Sequence, residues 1–223
     1  MNASIRKCYK QDEFVSRIQH TLGANLTGVS CNIVDTEGMT KVMRGAGWSA
    51  NETHGVVGFQ FRNDVYVLDS TPWTVLHELI HRAGVNADRL SRYVAEGLTE
   101  AIAQEMKEGD DEHRPTYPEE TTWVKTVLLP RLNLTAVELG RKVIQSNDPP
   151  RMLAGLMVKA KPGAMLPALE RQLQPQVGDR PSFNRGAVTR GPVGSNSSTG
   201  AIAAVLLLAG AVLAAPIIFR GAS

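Results

Sequence analysis

Two histidines four residues apart bracket a glutamate in the run His77-Glu78-Leu79-Ile80-His81. On a helix this spacing turns both imidazoles to one face, where each can offer a ring nitrogen to one ion at about 2.0 to 2.1 Å. Glu78 then falls beside the ion and not on it, placed to take a proton from water that the ion activates. The bland alternative is a solvated helix face that happens to carry two histidines. The chain has only five histidines, and two of them meet this spacing, which favours a zinc site.

Two imidazoles leave a catalytic zinc one protein ligand short, because such a site takes three and keeps a fourth position open. The segment Tyr93-Val94-Ala95-Glu96-Gly97-Leu98-Thr99-Glu100 offers two carboxylates four residues apart, on one face of a second helix. At this point the chain resembles the gluzincin metallopeptidases, in which a His-Glu-x-x-His helix is followed by a helix bearing a glutamate ligand, often in a Glu-Gly-x-x-Glu-like context. The resemblance covers about residues 56–106. Its context marks Glu96 as the third ligand, 14 residues beyond His81, whereas the spacing of 18 found in several such families lands on Glu100. The reading taken is Glu96, with a Gly directly after it to let the helices approach closely, and Glu100 as the carboxylate that accepts the free ring N–H of a ligating histidine. The reverse assignment stays open.

What the resemblance implies is a zincin-like α+β fold whose small mixed or antiparallel sheet has an edge hairpin and packs on a mainly helical domain. It further implies zinc as cofactor, Glu78 as general base and a peptide or protein substrate that pairs with the hairpin. His113 and Tyr117 are the nearest oxyanion donors by type.

The elements that must position these residues are legible in outline. Apolar spacing at Phe14, Val15, Ile18 and Leu22 predicts a helix over about 12–22, closed by Gly23. Residues 28–43, rich in β-branched side chains around Asp35-Thr36-Glu37-Gly38, read as two short strands or irregular structure. Val56 to Phe61 and Val65 to Leu68 flank Arg62-Asn63-Asp64 and predict a hairpin. Ser70 or Thr71 can cap the motif helix, with Pro72 at its first position and Gly84 past its end, which predicts a helix over 72–83. A second helix is expected over 88–107, and two or three more between Glu119 and Gln174.

The 223 residues, 43% of them apolar, suffice for one packed domain, expected over 1–174. Basic and acidic residues number 24 and 22 and are spread along the chain, so charge gives no reason to expect a nucleic-acid partner. Cys8 and Cys31 stand in no metal-binding spacing, and two cysteines are read as unbridged, in a reducing compartment. Residues 175–200 have the Pro, Gly and Ser content of a flexible linker, and 201–219 carry no charged side chain, as a membrane-spanning helix would. Arg180, Arg185 and Arg190 precede that stretch, so the expectation is a single C-terminal anchor in membrane lipid with the domain on the cytoplasmic side. The rival expectation is an inactive zincin-like structural or interaction protein, carried in a viral particle or another large assembly.

Overall fold

The structure, a computed structural model, describes residues 6–49, 53, 55–69, 71–86, 88–108, 116–160, 173 and 183–185. The chain enters through β1 (Arg6–Lys7) and turns into α1 (Gln11–Leu22). Phe14, Ile18 and Leu22 form the buried stripe of α1, and Gly23 ends it in the left-handed conformation at φ 68°. Strand β2 (Ser30–Ile33) follows and is held to α1 by Gln11, whose Nε2 donates to Val29 O and whose Oε1 accepts from Cys31 N.

Three sequence expectations are corrected in this first part of the chain. Cys8 and Cys31 are joined in a disulfide, which fastens the residue after β1 to β2. Residues 36–45 form a helix, α2 (Thr36–Gly45), and not a second strand. Asp35 caps it by accepting from Gly38 N at 2.7 Å, a local hydrogen bond that outweighs the strand preference of Val42. Third, the hairpin of β3 (Val56–Phe61) and β4 (Asp64–Val67) is not an edge. The five-stranded sheet has the order β1-β2-β4-β3-β5, so the hairpin is flanked on both sides. Strand β2 runs parallel to β4, and β5 (Phe183–Arg185) runs antiparallel to β3. Phe183 to Arg185 were expected inside a flexible linker, and they are a strand of the sheet. The sheet is mixed because β2 reaches β4 by way of α2 and β3, not by a hairpin.

One side of the hairpin packs on α2, through Val34, Met39, Met43, Trp48, Val56 and Phe59. The motif helix α3 (Pro72–Arg82) packs on β3, β4, α1 and α4 (Arg92–Met106). It starts where the sequence predicts, with Thr71 accepting from Thr74 N and Pro72 at the first position, and Gly84 follows its end at φ 120°. Its neighbours leave α3 almost no solvent face: Trp73 through His81 are all buried.

Helix α5 (Pro118–Trp123) continues through a π-helical turn (Val124–Leu128) into α6 (Leu129–Leu132), and α7 (Ala136–Gln145) and α8 (Pro149–Ala160) complete the support. Gly97 in α4 is the contact point with α5. A Cβ there would stand 2.5 Å from Glu120 O, so the glycine admits α5 and not, as expected, α3. Among the described residues no helix is long and apolar enough to cross a membrane. The expected span over 201–219 and the rest of the expected linker lie outside the described residues.

Candidate metal centre

Helix periodicity places His77 and His81 one turn apart on the face of α3 that meets α4, and α4 answers with Glu96. His77 Nε2 and His81 Nε2 are 3.0 Å apart, and Glu96 Oε2 lies 3.3 Å from the first and 3.1 Å from the second. Three ligands held at 2.0 to 2.1 Å by one tetrahedral ion stand about 3.3 Å from each other. The observed triangle is therefore of the right size for one ion placed just off its plane. All three side chains are buried, at 0% exposure for the histidines and 1% for Glu96.

The ring nitrogens that face away from the triangle each meet an acceptor. His77 Nδ1 is 3.2 Å from Glu100 Oε2, and His81 Nδ1 meets the carbonyl of Val85, with Thr99 Oγ1 at 3.2 Å. An N–H on Nδ1 in both rings faces these acceptors and leaves both Nε2 lone pairs pointing into the triangle. Of the two carboxylates read as alternative ligands, Glu96 stands in the triangle and Glu100 stands behind His77. Thr71 and Pro72 set the start of α3, and Ser91 O accepts from Ala95 N to set the first turn of α4.

Burial opposes a charge on His77, but its hydrogen bonds to Glu100 and Glu96 outweigh that and raise its pKa to about 10. Burial likewise opposes a charge on Glu96, and the two imidazoles overcome it, lowering Glu96 to about 2. Glu78, Glu96 and Glu100 put three buried carboxylates near two buried imidazoles. Buried charge on this scale is ordinarily matched by partners or a metal, and a divalent cation at the triangle fits the donor set.

Glu78 follows His77 on α3, and the β3 backbone closes against its carboxylate. A Cβ on Gly58 would stand 2.5 Å from Glu78 Oε1. Gly58 is a site residue the sequence reading passed over, although a lone glycine inside a strand pattern does signal a close backbone approach. Thr99 was also missed, and a buried threonine one turn from a ligand carries no signal of its own. Tyr117, named as an oxyanion donor by type, has its ring stacked on His77 at 5.8 Å between centroids and 20° between planes. Arg92 Nε lies 3.7 Å from Glu96 Oε1, one helical turn before it. His113 lies outside the described residues.

No protein-family model, no curated protein and no solved structure matches the chain.

Proposed function

We propose that this chain is a zinc-dependent peptidase in which His77, His81 and Glu96 hold the metal and Glu78 is the general base. The observation that carries this reading is the triangle of 3.0, 3.1 and 3.3 Å between three inward ligand atoms, with Glu78 on the same helix beside it. Bound zinc would supply Lewis acidity, lowering the pKa of water toward 7 and polarising a carbonyl. The chain supplies the rest. Glu100 and Val85 O hold the imidazoles in the ligating tautomer, and Gly58 lets the sheet press Glu78 into position. Glu78 takes the proton of the attacking water and returns it to the leaving amine.

Burial of every side chain at the site would also suit a structural ion, the inactive rival. Structural zinc sites are closed by four protein ligands, however, and among the described residues three are gathered here. The test compares the zinc-loaded full chain with its Glu78→Gln variant on a mixed peptide library read by mass spectrometry. Both should carry one zinc, and the variant should cut slower by at least about 100-fold, the scale of general-base catalysis. Equal cutting, or no cutting by either, would defeat the peptidase reading, and iron in the chain purified without added metal would defeat the choice of metal.

The apolar run 201–219 supports a C-terminal membrane anchor. The Cys8–Cys31 bridge supports a domain held on an oxidising side of that membrane and outweighs the arginine bias toward the cytoplasm.

A further inference from the structure

Strand β5 lies in register with the part of β3 that touches the general base. Asn184 pairs with Gly58, Phe183 with Phe59 and Arg185 with Val56, with an irregularity between Val56 and Gly58. Gly58 is the residue whose backbone closes on the Glu78 carboxylate. Strand β5 also packs against α3, the helix that carries His77, Glu78 and His81.

An extended peptide joins a sheet through the main-chain groups of an unpaired strand edge. The inner edge of β3 is taken by β4, and β1 is at the opposite end of the sheet. Among the described residues, the outer edge of β3 is the sheet edge that runs beside Glu78, and this chain's own residues fill it. We propose that this edge is the peptide-docking surface of the site and that its resident occupant is the chain's own segment around Phe183–Arg185, which an incoming peptide must displace. That a displacing peptide is then cut rests on the peptidase reading; the docking surface does not.

The resident strand is built to yield. It is three residues long, and its pairing with β3 is interrupted by the irregularity between Val56 and Gly58. Its tether offsets that weakness. A segment linked in cis acts at an effective concentration on the order of 1 mM, so a free copy with a Kd of about 50 μM would bind the intact chain about 20-fold more weakly than an emptied edge. Complete burial of His77, Glu78 and His81 accords with a closed, self-occupied state.

The test uses the full chain in the Glu78→Gln background and a fluorescent peptide copying residues 178–190, read by anisotropy. Successive strand residues direct their main-chain groups to opposite sides, so Phe183→Pro with Asn184→Pro removes one N–H that faces β3 whichever residue supplies it. The double variant should bind the peptide at least about tenfold tighter than its parent, given the effective concentration above. A second variant, Phe183→Gly with Asn184→Gly and Arg185→Gly, weakens the strand without imposing proline geometry and should show the same gain. Binding within about twofold across parent and both variants, or none to any of them at about 1 mM, would overturn the proposal. The same peptide is then given to the zinc-loaded proline variant with Glu78 restored. Tight binding of this peptide, with no member of the mixed peptide library cut by the same variant, would uphold the docking surface and defeat the peptidase reading.

Discussion

His77 and His81 each give one ring nitrogen to the triangle and tie the other to a fixed acceptor, and this division has measurable consequences. Without metal, His77 is protonated at neutral pH, because its pKa of about 10 lies above the ordinary 6.5. Its charge contributes stability that is fully present below pH 6.5 and is lost as pH rises through about 10. Zinc needs the neutral ring, so zinc binding at pH 7 should expel about one proton from His77. Calorimetry in buffers of different ionisation enthalpy reads that proton directly, and a binding heat independent of buffer would contradict the assignment. Gly58 gives a second test. Gly58→Ala puts a methyl 2.5 Å from Glu78 Oε1 and 2.7 Å from its Cδ and Cγ, so the Glu78 side chain must swing aside while the ligands stay in place. Zinc content should be unchanged and kcat should fall by about 100-fold, the usual cost of misplacing a reacting group by an ångström. His77, Glu78 and His81 were legible because their spacing is local to one helix. Glu96 and Glu100 were legible only as a pair. The choice between them depends on how α4 is rotated against α3, which depends in turn on where the buried stripe and Gly97 seat α4 on its other neighbours.

At the scale of elements, the helices that carry the site follow their local signals closely, and the sheet does not. Thr71, Pro72 and Gly84 bound α3, and Gly23 ends α1, since caps and breakers act within a few residues. The expected start of α4 at residue 88 moves to Arg92, because Asn86 O takes the amides of Arg89 and Leu90 into a turn first. The order of strands has no such local signal. Strand β2 pairs with β4 across 34 residues and β5 with β3 across more than 120, so the hairpin that looked like an edge is interior. The disulfide belongs to the same class of long-range fact, since sequence spacing cannot show that Cys8 and Cys31 approach. It closes a loop of 23 residues around α1, and removing it by Cys8→Ser with Cys31→Ser should cost about 3 kcal/mol in chemical denaturation. A loss under about 1 kcal/mol would show that α1 and Gln11 already hold β1 and β2 together without it.

At the scale of the whole molecule, two helices make the candidate metal triangle, the backbone of β3 closes on Glu78 beside it, and the outer edge of β3 is held by the chain's own later residues. The proposed function depends on one ion at one position. Zinc-edge X-ray absorption on the zinc-loaded full chain is the most direct test of that claim. The expected shell has two imidazole nitrogens at about 2.0 to 2.1 Å and a carboxylate oxygen at about 2.0 to 2.2 Å, with no sulfur, and the Glu96→Gln variant should lose or rearrange it while Glu100→Gln keeps it. A shell that survives Glu96→Gln and collapses in Glu100→Gln, or a chain that retains no metal at all, would contradict the account.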